Sequence, residues 1–204
     1  MVTLNDTFTL PGGSKLINRI AKSAMSEALG TMDNRATEKL VQLYRTWGAG
    51  GTGLLFTGNV MVDRRALGEP GNVVIEDERD MDVLKAWAAA GKEHGAEIWV
   101  QLNHPGRQCP KGLNKESVGP SAVEFNKSMQ AFFETPRELI SVEIEDIIAR
   151  FANAAGICRD AGFSGVQIHG AHGYLVSQFL SPLTNQRTDQ WGGSTENRRR
   201  FVLE

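Results

Sequence analysis

Cysteine is scarce in this chain, which has only two in 204 residues, Cys109 and Cys158. Two cysteines so far apart form neither a disulfide framework nor the spacing of a metal site, so we expect two free thiols. The chain also lacks any apolar run long enough to cross a bilayer, and residues 1–13 show no signal-peptide pattern. These absences favour a cytoplasmic protein with no metal and no membrane partner.

An excess of charge of either sign is also missing, since the formal net charge is -2 and the acidic and basic residues are scattered. Without a basic stripe or a basic amphipathic segment, we expect no nucleic-acid partner. The hydrophobic fraction of 41% is that of an ordinary globular protein. We therefore interpret residues 1–204 as a single domain whose partners are small molecules.

Apolar segments alternate between strand-like and helix-like spacing along the chain. Such alternation is typical of parallel strands joined by crossover helices, as in an α/β barrel or a doubly wound sheet. The four predicted strands are a strand within Asn18–Met25 and strands at Leu54–Thr57, Glu97–Leu102 and Val166–His169. A helix follows each strand. In chain order, the helices are one capped by Asp33 or Asn34 and ended by Gly48, one at Asp80–His94, one capped by Ser141 and closed by Gly162, and one beginning near Ser194.

The glycine-rich stretch GAGGTG, Gly48 to Gly53, formally satisfies the dinucleotide pattern G-x-G-x-x-G. A true dinucleotide fingerprint follows a strand and opens a helix, so that the pyrophosphate meets the helix N-terminus. Here the glycines end a helix and lead into a strand. We therefore predict a helix C-cap and a tight entry turn at this stretch.

Two histidines and a tyrosine follow the last predicted strand, in the segment GVQIHGAHGYLVSQF. His169, His172 and Tyr174 leave one strand end together, and they offer hydrogen-bond donors for one substrate oxygen and a proton source. Zinc-protease histidines are spaced i, i+4 on a helix, with a glutamate between them. The i, i+3 spacing in a glycine-rich turn without a carboxylate disfavours a metal site.

The run IHGAHGYLVSQFLSP, followed by NQRTDQWGGSTENRRRF, resembles the signature of the old yellow enzyme family of FMN-dependent NAD(P)H:flavin oxidoreductases and ene-reductases. The upstream motifs NRIAKSAM, TGNVMVD and VQLNHPGRQ match the family in the same order. The resemblance implies a (β/α)8 TIM barrel, which has eight strands and typically about 250 residues. Only about the first four β/α units fit here, so residues 1–204 correspond to the N-terminal half of a single FMN-binding barrel.

The resemblance also implies a flavin site. Ala24, Met25 and Ser26 match the segment that lies against the isoalloxazine ring, and Ser26 stands where threonine or cysteine is usual and could hydrogen-bond flavin O4. Asn59 matches a further position that approaches the flavin. Gln101 matches the glutamine that pairs with the pyrimidine edge, because a carboxamide complements N3-H and O2.

By the same resemblance, His169 and His172 bind the carbonyl oxygen of an α,β-unsaturated substrate, and Tyr174 is a candidate proton donor. The implied reaction is ping-pong: NAD(P)H reduces FMN, and the activated alkene then takes up a hydride and a proton. From its chemistry, Arg107 could contact a cofactor or a substrate carboxylate, but we favour a structural role in bracing loops. Arg187 is expected to belong to a salt-bridging cluster near the start of the last helix.

A different kind of function remains open, because loops after the seventh and eighth strands commonly hold phosphate in such barrels, and these loops are absent from the 204 residues. The alternative is a non-catalytic half-barrel that acts as a fragment or an interaction module. Its open first and fourth strands would then pair with another chain, either in a homo-oligomer or with a complementing C-terminal half.

Overall fold

The computed structural model describes residues 1–204. Its eight strands are β1 (Phe8–Thr9), β2 (Lys15–Leu16), β3 (Ala21–Lys22), β4 (Leu54–Met61), β5 (Glu97–Asn103), β6 (Val118–Gly119), β7 (Arg137–Glu138) and β8 (Gly165–Ile168). Its five α-helices are α1 (Glu38–Ala49), α2 (Met81–Lys92), α3 (Ser141–Asp160), α4 (Leu175–Leu180) and α5 (Thr195–Leu203).

The central sheet has four strands in the order β3-β4-β5-β8, and all neighbouring pairs are parallel. Each strand adds beside its predecessor, and helices α1, α2 and α3 make the crossovers, which confirms the predicted α/β class with four β/α units. Because the strands are parallel, their carboxyl ends meet at one edge. The segments that follow β3, β4, β5 and β8 therefore collect there.

One large apolar core, a cluster of 31 buried residues, lies between the outer face of this sheet and the helices. Along β5 the alternate residues Ile98, Val100 and Leu102 are fully buried in this core. Trp99 and Gln101 alternate with them and are only half-buried. Since side chains alternate between the two faces of a strand, Gln101 lies on the inner face of the sheet, which corresponds to the interior of a barrel.

The first helix begins later than its sequence indicates. Its N-cap is Thr37, so the predicted cap at Asp33 or Asn34 is wrong. Asn34 instead lies in a left-handed turn at φ 65°, where its N–H donates to the carbonyl of Thr31 at 3.0 Å. Asparagine tolerates this conformation, so the residue closes a turn rather than opening a helix. At the other end Gly50 is the C-cap and Gly51 has φ 83°, which confirms a cap and an entry turn.

Two further boundaries and one helix differ from the sequence prediction. β3 has two residues, so the segment from Ser23 onward is loop. Ser141 is the first residue of α3 rather than its cap; the N–H of Ile140 at the cap position donates to the carboxylate of Glu143 at 2.9 Å. Helix α4 was not predicted. The expected start near Ser194 is confirmed, because its hydroxyl accepts from the N–H of Asn197 at 3.1 Å.

The long connection between β5 and α3 is folded against the loop that precedes α5. Arg187, which is buried, donates from Nη1 to the carbonyls of Pro120 at 2.9 Å and Leu139 at 2.6 Å and pairs with Asp189 through Nη2 at 2.6 Å. Arg107 is also buried, and its guanidinium carbon lies 3.7 Å from the centroid of the Phe125 ring. Both arginines thus brace loops, in the structural roles expected for them.

The edge beyond β8 is apolar and open. Ile168 is 40% exposed and Leu203 is 72% exposed. A groove of about 210 Å³ runs beside them, and nine of its ten lining residues are hydrophobic, including Phe151, Val176 and Phe201. None of the helices combines the length and the apolar character that crossing a membrane requires.

Candidate functional site

Three carboxamides form a row across the inner face of the sheet, near the carboxyl ends of its strands. Asn59 on β4 is in register with Gln101 on β5, and Gln101 is in register with Gln167 on β8. Gln101 donates from Nε2 to Oε1 of Gln167 at 2.8 Å, which leaves its own Oε1 free to accept. Sequence reasoning missed Gln167, although it stands two residues before His169 and therefore on the same strand face.

A bulge in β4 turns Asn59 into this row. The register of β4 against β5 shifts between Phe56 and Asn59. Within the bulge the N–H of Gln101 donates to the hydroxyl of Thr57 at 3.0 Å. Bulges of this kind redirect side chains, and they are common beside functional sites.

The loop after β3 lies directly on that bulge. The N–H of Gly58 donates to the carboxylate of Glu27 at 2.9 Å. A Cβ at position 58 would stand 2.6 Å from the carbonyl oxygen of Met25, so only glycine allows this close approach. Ala24, Met25 and Ser26 are thereby held at the carboxyl edge of the sheet, where the Met25 side chain is 57% exposed.

The hydroxyl of Ser26 has a partner within the chain, because it donates to Oε1 of Glu69. Nδ2 of Asn72 donates to the same oxygen at 3.3 Å. Glu69 was not among the residues that the sequence singled out. It follows Ser26 by 43 positions, and no spacing rule relates the two.

His169, His172 and Tyr174 form one cluster, as predicted from their spacing. The ring centroids of His169 and Tyr174 are 4.9 Å apart, those of the two histidines 5.2 Å, and those of His172 and Tyr174 6.5 Å. The N–H of His169 donates to the carbonyl of Leu102 at 3.0 Å, which ties the cluster to the end of β5 beside the carboxamide row.

The hydrogen bonding of His169 selects one tautomer. The N–H of Ala171 donates to Nδ1 of His169 at 3.3 Å, so the proton of the neutral ring resides on Nε2. Burial, and secondly the nearby His172, hold the pKa of His169 below its ordinary value. His169 is therefore a neutral donor through Nε2 at physiological pH.

His172 is held in an unusual backbone conformation. Its φ is 57°, a left-handed value that costs a residue with a side chain about 1–2 kcal/mol. Gln108, in the loop after β5, donates from Nε2 to the carbonyl of His172 at 2.7 Å and stabilises the turn. Gly173, at φ 75°, leaves room for Nε2 of Gln108. Strain of this kind is concentrated at functional sites.

Tyr174 is half-buried and remains a phenol over a wide pH range. Burial, and secondly the negative charge of Glu69, raise its pKa above the ordinary value. Its carbonyl accepts from the N–H of Gln178 at 2.8 Å in the first turn of α4. The short helix therefore fixes the phenol beside the histidines.

Three other candidate groups lie outside this cluster. Both cysteines are free and buried, and burial raises the pKa of each thiol to about 12, so they are protonated. Burial lowers the pKa of His104 to about 4, so this histidine is neutral. No group of three or more histidine, cysteine, aspartate or glutamate residues is arranged to hold a metal ion.

The donor set at the carboxyl edge fits a flavin ring. The exposed Met25 side chain offers an apolar surface for a planar ring, and the half-buried Asn59 and Gln101 offer donors and acceptors for its polar edge. The neutral donor of His169 stands beside them. A family model described as "NADH:flavin oxidoreductase / NADH oxidase family" matches residues 9–204. This chain belongs to that family.

Relatives agree with this assignment to the old yellow enzyme family. The chain is 39% identical over 213 residues to the NADH-dependent flavin oxidoreductase iliE of Hypocrea jecorina, covering 96% of this chain and 53% of the relative. It is 37% identical over 198 residues to the NADPH dehydrogenase of a Geobacillus strain, and the match covers 94% of this chain and 55% of that relative. The chain thus spans about half the length of these curated relatives.

Solved structures give the same result. Morphinone reductase in complex with tetrahydroNAD superposes with a TM-score of 0.89 at 28% identity, covering 100% of this chain and 59% of the other. The old yellow enzyme homologue from Zymomonas mobilis superposes with a TM-score of 0.88 at 28% identity, covering 98% of this chain and 57% of the other. The fold is therefore that of these old yellow enzyme structures over about half of their length.

Proposed function

We propose that this chain supplies the flavin-ring and substrate-activating side of an FMN-dependent oxidoreductase that uses NAD(P)H to reduce activated C=C bonds of α,β-unsaturated carbonyl compounds. The observation that carries the proposal is the cluster of His169, His172 and Tyr174 beside the carboxamide row, at the carboxyl edge of a parallel sheet. In α/β barrels this edge is the one that carries active sites.

Five residues would hold the flavin ring. Ala24, Met25 and Ser26 would lie along it, while Asn59 and Gln101 would meet its polar edge. The free Oε1 of Gln101 suits an imide N–H, and the amide that donates to Gln167 keeps a second N–H for a carbonyl. FMN, once bound, supplies hydride transfer from NAD(P)H to the alkene. Membership of a family described by NADH and flavin supports both cofactors.

The histidines would bind the carbonyl oxygen of the substrate. His169 presents Nε2–H as a neutral donor, and His172 is positioned by Gln108 on the other side of the turn. Donors aimed at an oxygen stabilise the transition state more than the ground state when negative charge develops on that oxygen. The pair would thereby draw electron density from the alkene and make its β-carbon electrophilic.

Tyr174 would then deliver the proton to the α-carbon. Its raised pKa keeps the hydroxyl protonated, and its ring centroid lies 4.9 Å from that of His169. The reaction would be ping-pong, because the nicotinamide and the alkene would use the same face of the site in turn.

Steady-state kinetics of the flavin-loaded protein test this proposal. With oxygen excluded, so that the enone is the one oxidant of the reduced flavin, and with NADH and 2-cyclohexenone varied against each other, we expect NADH oxidation that depends on the enone, with parallel double-reciprocal lines. Saturated cyclohexanone should give no turnover, because it lacks the alkene. Intersecting lines would contradict the ping-pong order, and enone-independent oxidation would contradict ene-reduction.

A second function is favoured by the open edge of β8. The strand is half-exposed, and the apolar groove beside Ile168 has no covering element. We propose that this edge pairs with further strands, either from a second copy or from a complementing C-terminal half of a barrel. If a folded chain binds no flavin, this role as an interaction module is the one that remains.

A further inference from the structure

One cavity of the chain lies apart from the flavin edge, between the segments that follow β4 and β5 and the first turns of α3. Its volume is about 380 Å³. Volumes of about 300–1,000 Å³ are typical of small-molecule sites. All of its lining residues fall between positions 63 and 147, so neither the open edge beyond β8 nor the cluster of His169, His172 and Tyr174 forms any part of it. The cavity is therefore a candidate site for a small ligand of its own.

Much of the cavity wall is apolar. Its five aliphatic side chains are those of Ala66, Val118, Leu139, Val142 and Ile147. Leu139 and Ile147 are buried in the large core, so packing fixes this part of the wall. Val142 is 62% exposed and stands at the opening. A ligand with an apolar body would remove this surface from water, which favours its binding.

The charged residues of the cavity are paired with one another. Each of the four carboxylates contacts an arginine: Asp63 and Asp146 pair with Arg65, and Glu116 and Glu143 pair with Arg137. The nitrogen–oxygen distances are 2.7 and 3.5 Å in the first group and 3.0 and 2.9 Å in the second. An anion would meet these carboxylates, and a cation would have to displace an arginine. The cavity therefore favours an uncharged ligand.

His104 presents a hydrogen-bond donor to this cavity. The N–H of Gly106 donates to Nδ1 of His104 at 3.1 Å, so the proton of the neutral ring is on Nε2. Burial lowers the pKa of this histidine to about 4, which keeps the ring neutral near pH 7. The N–H of Leu175 donates to the carbonyl of His104 at 3.0 Å and fixes its backbone. The chain itself therefore holds the donor in place.

Nε2–H of His104 has no acceptor within the chain, although the residue is only 3% exposed. The enclosed side-chain atoms that lack a partner are on other residues, namely Trp87, Trp99, Asn103, Arg107 and Trp191. Nε2 of His104 is not one of them, so it keeps accessible surface, and the space that His104 borders is the cavity. Buried donors without a partner are rare in native proteins, because losing water without gaining an acceptor is unfavourable. An acceptor on a ligand would satisfy this donor.

We propose that the cavity binds a small uncharged molecule with an apolar ring and a ketone or ether oxygen, and that Nε2–H of His104 donates to this oxygen. The aliphatic wall receives the ring, and the paired charges disfavour ionic molecules. The inference goes beyond the proposed function and needs neither flavin nor nicotinamide. An enone has similar chemistry, so the test must distinguish binding at His104 from binding at His169.

4-Fluoroacetophenone is a suitable probe, because it has one aromatic ring, a ketone oxygen and a fluorine atom that reports binding by ¹⁹F NMR. We expect saturable binding to the purified chain. 4-Fluorobenzoate has the same ring and a negative charge, and it should bind at least about tenfold more weakly, because its charge would lie beside four carboxylates. Absence of saturable binding by the ketone, or equal affinities for the two molecules, would contradict the proposal.

The imidazole ¹⁵N signals of the four histidines locate the probe, since each ring can be assigned through its bonds to the backbone. The probe should shift the Nε2 signal of His104 and leave that of His169 unchanged. The shift should be the same with and without FMN, because the cavity lies apart from the flavin edge. A shift confined to His169 and His172 would place the probe at the substrate cluster and overturn the proposal. Failure to bind FMN would count against the proposed function alone.

Two variants of His104 test the hydrogen bond. Asparagine keeps an acceptor where Nδ1 lies but has no atom at the position of Nε2, whereas glutamine places an amide N–H there. His104→Asn should raise the Kd of the ketone by about twofold to twelvefold, the range for one neutral hydrogen bond, and His104→Gln should restore much of the affinity. Equal affinity in the parent and His104→Asn would show that His104 does not bind the oxygen.

Matched valine substitutions test the location of the probe. Val142→Trp should fill the opening of the cavity and abolish binding, while Val202→Trp fills the apolar groove beside α5 and should leave the Kd unchanged. Both valines are exposed on helices, so neither change is expected to unfold the chain. Binding that is lost in Val202→Trp and kept in Val142→Trp would place the probe in the groove and contradict the proposal.

Discussion

Replacing His169 and His172 together by alanine is expected to lower kcat/KM for enone reduction by at least about a hundredfold. Positioned donors and proton-transfer groups typically contribute about 10²–10⁴-fold each. The reason here is geometric, since the two rings stand 5.2 Å apart and His169 presents a neutral Nε2 donor. Steady-state kinetics with a cyclic enone measure the loss, and a flavin titration shows whether FMN affinity has stayed within about twofold of the parent.

His94→Ala is the matched control for the double variant. His94 is exposed just after α2, at the amino end of the sheet, so its loss should leave enone kinetics unchanged. Enone turnover that persists in the double variant with FMN still bound would show that the substrate carbonyl is held elsewhere.

Gln101→Leu is expected to raise the Kd for FMN by about 5-fold to 150-fold. Two hydrogen bonds to the ring edge would be lost, at about 0.5–1.5 kcal/mol each. Oε1 of Gln167 would also lose the amide donor that it has at 2.8 Å. Quenching of flavin fluorescence on titration with protein measures the affinity.

Gln190→Leu is the corresponding control, because Gln190 is exposed and its side chain has no hydrogen bond within the chain. The two substitutions make the same chemical change at different places. If FMN affinity is equal in both variants and the parent, Gln101 does not bind the flavin ring, and the row of carboxamides is not part of the flavin site.

The parts of the fold that follow from periodicity could be predicted. Strands at Leu54 and Glu97 and the helix from Ser141 have apolar residues at the spacing that burial requires, so their type and order were correct. Helix α4 was missed because its six residues are too few to show the spacing of apolar residues that identifies a helix. The cap of α1 was misplaced because Asn34 suits both a cap and a left-handed turn, and the local sequence does not distinguish them.

In the candidate site, too, only the contacts between residues close in sequence could be predicted. His169, His172 and Tyr174 are close in sequence, so a strand end was enough to bring them together. Contacts between distant segments could not be predicted: Gln108 reaches His172 across 64 positions, and Ser26 reaches Glu69 across 43. The tautomer of His169 depends on one backbone N–H, and only the folded turn shows it.

The central claim is that the carboxyl edge of this sheet binds a flavin ring through residues of this chain. The most direct measurement is the visible absorbance and fluorescence of lumiflavin, which has the isoalloxazine ring without a phosphate, titrated with the purified chain. We predict saturable quenching and a perturbed absorbance band, both weakened by Gln101→Leu and unaffected by Gln190→Leu. A lumiflavin spectrum identical to that of the free dye, at concentrations where the chain is folded, would contradict the account.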